Sequence, residues 1–494
     1  MHRRIPIFYS ALLLTGVNLL LRFVSTSFQV HISGRIGAEG VGLLQLVMSV
    51  GSLAITAGMA GIRTATMYLT AEQLGRRRPG TVIWVLSGCF LYSILCSCAI
   101  GATLYSFAPQ IAASWIGDPE AVYAVRLLAL FLPITCLCGC MTGYFTAANR
   151  IGTLAMVEIA EQFCYMAVTM SMLTFWAHTD PAKACESVVL GSGISACLTL
   201  TMLVILRIRE NAKQSAAIPV ASRLFHTAIP LALADDLKAG ISTTENLMVP
   251  KRLSLFPGET SPLATFGMVC GMVFPVIMFP AAILFALAEL LIPELARCAA
   301  AGSNRRIRYL VKRSLRIGVL YGCFCSGLLY LLSDKLCLWL YQSDQADQYM
   351  RAYSLLVPML YCDAITDAMT KGLGQHKACV RYNIITSTMD VVLLFILLPK
   401  YGMAGYYFSF LVTHLINFIL SLRRLLKITQ MRIPFSLPVF LLGSYLFALM
   451  SSSCITATPG RIAAFTGIVL SLWTLFKVIG RHDFLWMYHV IRTS

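Results

Sequence analysis

Runs of about 20 apolar residues, the length that carries an α-helix across a bilayer, alternate with short polar breaks along almost the whole chain. Fourteen such runs stand out, near 7–33, 42–71, 81–107, 121–147, 154–176, 185–208, 224–249, 262–292, 309–332, 348–374, 381–399, 402–424, 434–456 and 461–480. The pattern predicts an all-α polytopic membrane protein with about fourteen transmembrane helices.

Composition supports this reading. Of 494 residues, 58% are hydrophobic and 12% charged, against about 25% charged in a soluble domain. The net charge of +17 does not mark a nucleic-acid binder, because the cations sit in short clusters between apolar runs. With the N-terminus inside, the clusters Arg3-Arg4, Arg76 to Arg78, Arg297 to Arg316, Lys371 to Arg381 and Arg423 to Arg432 all fall on the inner side. That is the positive-inside pattern, with attraction to anionic lipid as a further consequence. It predicts a multi-pass protein of the cell membrane with both termini cytoplasmic. The basic N-terminus is signal-like, but its apolar run is long and lacks a small-x-small cleavage site, so an uncleaved first span is expected. The tail HDFLWMYHVIRTS (482–494) mixes aromatic and basic residues, as an interfacial helix does.

The 17 cysteines lie mostly within apolar runs, without the spacing of a disulfide framework. Cys136 and Cys140 share a helical face, which allows a metal reading, but cysteine packs well as a small apolar residue and no metal site is expected.

An internal repeat organises the runs. RLLALFLP (126–133) lies over RAYSLLVP (351–358) without gaps, matching Arg126 with Arg351 and Pro133 with Pro358. The first and seventh runs align too, placing Lys238 over Arg22, Glu245 over Gln29 and Lys251 over Arg35. Both members of each pair enter from the same side, a parallel repeat of the kind used by transporters with a mid-membrane site between lobes. The expected organisation is an N-lobe over 1–210 (helices 1–6), a cytoplasmic linker over 211–223, a C-lobe over 224–428 (helices 7–12), and helices 13–14 with a cytoplasmic tail over 429–494.

Charges inside the apolar runs carry the candidate chemistry. Arg22 stands about midway along the first run, where a charge costs roughly 2.5–3.5 kcal/mol on insertion scales. Asn18 shares its face, and Arg63 lies in the second run. The seventh, LADDLKAGISTTEN (233–246), offers Asp235, Lys238 and Glu245. Further carboxylates are Glu158 and Glu161, Glu289, Asp363 and Asp367, and Asp390. An ion pair tying helices together is the plain explanation for Asp235 with Lys238 at i, i+3. Glu158 and Glu161 are read as headgroup-facing. No carboxylate of the first two runs lies near Arg22 or Arg63, so these two with Lys238 suit an anionic ligand, above all a phosphate gripped by guanidinium forks. Asp363 and Asp367, four apart, form a candidate proton relay. Pro133, Pro230, Pro275, Pro280 and Pro358 interrupt helices and supply candidate hinges.

The chain shows no phosphate loop, no HExxH, no Ser–His–Asp context and no long extramembrane segment. It is therefore read as a non-enzyme without a cofactor, leaving the membrane potential, H+ or Na+ as drivers.

At this point specific stretches carry a resemblance. GRIGAEGVGLLQL (34–46), GDPEAVYAVRLLALFLP (117–133), GYFTAANRIGTLAMVEIAEQ (143–162), ENLMVPKRL (245–253), FGMVCGMVFPVIMFPAAILFALAELLIPEL (266–295) and PKYGMAGYYFSFLVTHLINFILSLRRLLK (399–427) are involved. Together they resemble the polysaccharide-transporter, stage V sporulation protein B-like branch of the multidrug/oligosaccharidyl-lipid/polysaccharide exporter superfamily. The resemblance implies fourteen helices in two six-helix lobes, and members that flip undecaprenyl-linked sugars, including lipid II. Against the family pattern, Arg63 replaces a proline, Tyr68 stands where an arginine is usual, Glu245 replaces an Asp, and Glu289 replaces a small hydroxyl residue.

The leading expectation is a flippase for an undecaprenyl-diphosphate-linked saccharide, a polysaccharide or peptidoglycan precursor such as that of the spore cortex. Its substrate would be held by Arg22, Arg63, Lys238, Asn18 and Glu245, with Asp235, Glu289, Asp363 and Asp367 as ion-coupling candidates. Two alternatives are an ion-coupled exporter of cationic drugs, and a non-transport scaffold that recruits cell-wall synthesis enzymes.

Overall fold

The computed structural model describes residues 7–75, 79–176, 180–209, 221–342, 345–431, 436–455 and 457–475. Among these every regular element is helical. In chain order the helices are α1 (Ile7–Met59), α2 (Ile62–Gly75), α3 (Val82–Ser106), α4 (Val122–Ala147), α5 (Ile151–Trp176), α6 (Pro181–Ile208), α7 (Ala221–Leu253) and α8 (Pro262–Met278). They continue with α9 (Ala281–Ala300), α10 (Asn304–Tyr341), α11 (Gln345–Ser354), α12 (Val357–Gly372), α13 (His376–Tyr401), α14 (Met403–Thr429), α15 (Ser436–Ser453) and α16 (Thr458–Leu475). Among the described residues, each of the fourteen expected spans falls mainly on helix. By length and hydropathy alone, seven helical stretches among the described residues are fit to cross a membrane, or eight if α8 and α9 form one broken span. One of the seven, Leu19–Leu74, contains two expected spans, because the chain turns at Gly37 (φ 71, ψ 175) inside α1. The linker expected at 211–223 falls mostly outside the described residues, as do the terminal basic and aromatic segments.

Local chemistry sets several helix starts. Asp118 accepts from the Glu120 amide at 2.9 Å, and Asp180 from the Ala182 amide at 3.0 Å. In both cases a proline follows the aspartate, so a side-chain cap and a pre-set φ act together.

Three spans expected to be continuous are broken. The second stops at Ala60 and Gly61, both at positive φ (42° and 73°), and restarts as α2. The eighth is interrupted between α8 and α9, and the tenth between α11 and α12. Pro358 sits in the first turn of α12, whereas its repeat partner Pro133 stays inside continuous α4. Breaks at membrane depth persist only where freed carbonyls find donors, and here tyrosines supply them. Tyr92 donates to the Ala60 carbonyl at 3.3 Å, and Tyr321 donates to the Pro280 carbonyl at 2.9 Å. One helix further on, Tyr361 donates to the Ile277 carbonyl at 2.7 Å. Cys136, the position matched with Tyr361 in the repeat alignment, lies 4.0 Å from the Ile55 carbonyl. Replacing Tyr321 with Phe leaves the Pro280 carbonyl only the Ile283 amide, 3.4 Å away, so the protein is expected to lose about 0.5–1.5 kcal/mol, the net worth of one hydrogen bond, read as a lower melting temperature in detergent.

The chain gathers into two compact units, one from residues 1–275 with 387–409 and the other from 276–386 with 410–494. In the first, a core around Ile62, Val85, Phe145 and Leu203 joins α2, α3, α4 and α6. Helix α7, expected to open the C-lobe, groups with this unit. Its Thr243 donates to the Ser49 carbonyl at 3.1 Å and its Asn246 to the Ser49 hydroxyl at 2.9 Å. Helix α8 also packs on α1 with almost no spacing. A Cβ on Gly267 would lie 2.0 Å from the Ala38 carbonyl oxygen, and one on Gly271 1.9 Å from the Val41 side chain. Small residues four apart let membrane helices approach this closely. Gly267→Val is therefore expected to destabilise by at least ~1–3 kcal/mol, the usual penalty of overpacking, measured as thermal aggregation in detergent. In the second unit α15 and α16 pack on α10 through Cys323, Leu331, Tyr445, Phe465 and Trp473.

Candidate functional site

Three of the predicted cations lie in the first unit and all three are exposed. Arg22 stands out from α1 and makes an interaction within the chain. The side chain of Asn18 lies outside the described residues. Arg63 emerges from the first turn of α2, directly after the Ala60–Gly61 break. Its backbone is fixed by α4, since a Cβ on Gly143 would lie 2.4 Å from the Arg63 carbonyl oxygen. Arg63 is not remote from every carboxylate, because Glu158 of α5 lies within electrostatic reach. That acid comes from a span far away in sequence, which is why the first two runs gave no sign of it.

Lys238 is exposed on α7, and so is Asp235 one turn earlier. Among the described residues the two form no ion pair with each other, so the expected intrahelical bridge is absent.

Glu245 takes a different neighbourhood. Its carboxyl is in hydrogen-bonding contact with that of Asp390 on α13, and Asp390 is 5% exposed. The Ser409 hydroxyl of α14 donates to Asp390 Oδ1 at 2.5 Å. Nearby, Cys270 and the Tyr406 hydroxyl lie 3.6 Å apart. Two carboxylates in contact repel each other unless a proton or a cation sits between them. The arrangement thus has the chemistry of a proton- or cation-holding site. Asp390 was visible in sequence only as one more charge in an apolar run.

In the second unit, Asp363 accepts from Asn417 Nδ2 at 3.1 and 3.2 Å. Asp367 pairs with Lys371 at 2.6 Å. Each carboxylate has its own partner, so the i, i+4 spacing does not make them a self-contained pair. The Glu289 side chain lies outside the described residues. Nor do the two cysteines of the metal reading converge. Cys136 points to the Ile55 carbonyl, while Cys140 lies 3.4 Å from the Thr66 hydroxyl. An apolar cavity of about 510 Å³ in the first unit is lined by residues such as Val50, Leu53, Phe107 and Trp115. Without a charged wall it is not an anion site.

The fold defines a class. Its architecture matches a structure of lipid II flippase MurJ in an inward closed conformation, with TM-score 0.72 over 94% of this chain and 98% of that one, at 12% identity. It also matches an inward-facing multidrug resistance MATE family transporter of the MOP superfamily, with TM-score 0.67 over 86% of this chain and 100% of that one, again at 12% identity. Residues 14–171 match the MatE family. In sequence the chain is 21% identical over 409 residues to stage V sporulation protein B of Bacillus subtilis (strain 168), spanning 80% of this chain and 78% of that relative. In sequence and in fold the chain is thus similar to proteins of the multidrug/oligosaccharidyl-lipid/polysaccharide exporter superfamily, and its long apolar helices mark a multi-pass membrane protein.

Proposed function

We propose that the protein is a flippase that carries an undecaprenyl-diphosphate-linked saccharide from the cytoplasmic to the outer leaflet by alternating access of two lobes. The observation behind this reading is the set of exposed cations Arg22, Arg63 and Lys238 on apolar helices of the first unit. An exposed cation on such a helix must face water or an anion, and a diphosphate offers oxygens to both guanidinium and ammonium. The sporulation protein among its relatives and the lipid II flippase among its fold neighbours support a peptidoglycan precursor as cargo, with spore cortex synthesis as the setting. The Glu245–Asp390 contact with Ser409 supports a coupling role for Glu245, taking up H+ or Na+ as the lobes exchange.

The same carboxyl pair favours a second reading, ion-coupled export of cationic drugs. Overexpression discriminates the two. Under the flippase reading, the protein restores growth to a strain depleted of its lipid II flippase and leaves tolerance of cationic dyes unchanged. Raised dye tolerance without rescue would transfer the assignment to drug antiport.

A further inference from the structure

Helix α10 is longer than a membrane requires. Its 38 residues make a rod of about 57 Å, against a hydrocarbon layer of about 30 Å. The excess includes its strongly basic first turns, which are two-faced. Ile307, Val311 and Leu315 are buried along one side, while Arg305, Arg308 and Lys312 are exposed along the other. The spacing of three and four residues aligns those cations in one stripe.

This charge has no internal counterweight. The first turn of α10 contains no acidic residue, although cations at a helix N-terminus oppose the helix dipole. The acid beside it, Glu294 on α9, binds Arg306 at 2.6 Å and Arg297 at 3.1 Å. Among the described residues Arg305, Arg308 and Lys312 have no carboxylate partner. Within the stripe Tyr309 is 56% exposed, and the Arg313 guanidinium both hydrogen-bonds its hydroxyl and lies 5.7 Å from its ring centroid. Tyrosine with arginine is a pairing suited to the headgroup layer, where one end is apolar and the other wet.

We propose that this stripe is a docking surface for anionic bilayer phospholipids, whose headgroup phosphates bridge Arg305, Arg308 and Lys312 at the membrane interface. The charge complementarity and the excess helix length at that level both favour a bilayer lipid over a soluble anion. The proposal is independent of the cations assigned to the transported substrate.

The test is native mass spectrometry of the full-length protein equilibrated with equal phosphatidylglycerol and phosphatidylcholine. The wild type is expected to retain phosphatidylglycerol preferentially, and the preference should shrink as salt rises. With each interfacial cation worth roughly a fivefold factor, the triple variant Arg305→Gln/Arg308→Gln/Lys312→Gln is expected to lose the preference by tenfold or more. The triple variant Arg305→Lys/Arg308→Lys/Lys312→Arg keeps it, and Arg297→Gln changes it little. An undiminished preference in the glutamine variant overturns the proposal, as does a wild type without any preference. Displacement of the lipid by millimolar inorganic phosphate also overturns it, by showing a soluble-anion site. If the glutamine variant fails to fold, the wild-type salt titration still decides, because a preference indifferent to salt rules out the stripe.

Discussion

The double substitution Arg22→Ala/Lys238→Ala is expected to abolish rescue of a flippase-depleted strain at wild-type expression. Each single change is expected to lower transport of the lipid-linked saccharide by about 10- to 100-fold, the range that follows from losing a charge-assisted hydrogen bond worth roughly 1.5–3 kcal/mol. Both cations are exposed on their helices, and Lys238 forms no ion pair with Asp235 among the described residues. Arg22→Lys is expected to fall between, since it keeps the charge but loses the planar fork that grips two phosphate oxygens. Single-turnover binding of labelled substrate by purified variants separates this loss from a folding defect. Unchanged binding in the double variant would remove the cations from the site.

Asp390→Asn is expected to have the second largest effect, of a different kind. Transport should cease to depend on an imposed ion gradient, while the affinity for the saccharide stays within about threefold. The reason is the contact of Asp390 with Glu245 and its hydrogen bond from Ser409. Replacing one carboxyl by an amide lets the pair stay hydrogen-bonded with no proton or cation between them, so the element that senses the ion is lost. Glu245→Gln is expected to act in the same direction. Flux in proteoliposomes under imposed H+ and Na+ gradients reads both variants, and gradient dependence surviving in both would exclude the pair as the coupling site.

Much of the fold was legible in the sequence because each span is announced by its own apolar run. The runs mark where helix lies, and a lone feature such as Gly37 does not disturb that reading. What was not legible depends on neighbours. Pro133 and Pro358 occupy matching positions, yet one sits in continuous helix and the other restarts one. The difference lies in packing, where α10 closes on Pro358 at Gly322, so that an added Cβ would lie 2.8 Å from the Pro358 Cα. The break at Ala60–Gly61 was hidden too, since its stability depends on a tyrosine from another helix. The same holds for the site. Arg22, Arg63 and Lys238 stood out because a charge in an apolar run is conspicuous by itself. The company of Arg63 with Glu158, and of Glu245 with Asp390, joins residues from separate spans, which one sequence does not connect. Asp363 and Asp367 show the converse, since sequence spacing paired them but gave no sign of Asn417, which binds the first from a distant helix.

The most direct test of the account is a transport assay with purified protein in liposomes carrying labelled undecaprenyl-diphosphate saccharide in one leaflet. The account predicts that the wild type moves the label to the other leaflet, that Arg22→Ala/Lys238→Ala does not, and that cationic dyes neither compete nor cross. Equal movement of the lipid-linked saccharide by wild type and double variant would contradict it, as would transport of the dyes in place of the saccharide.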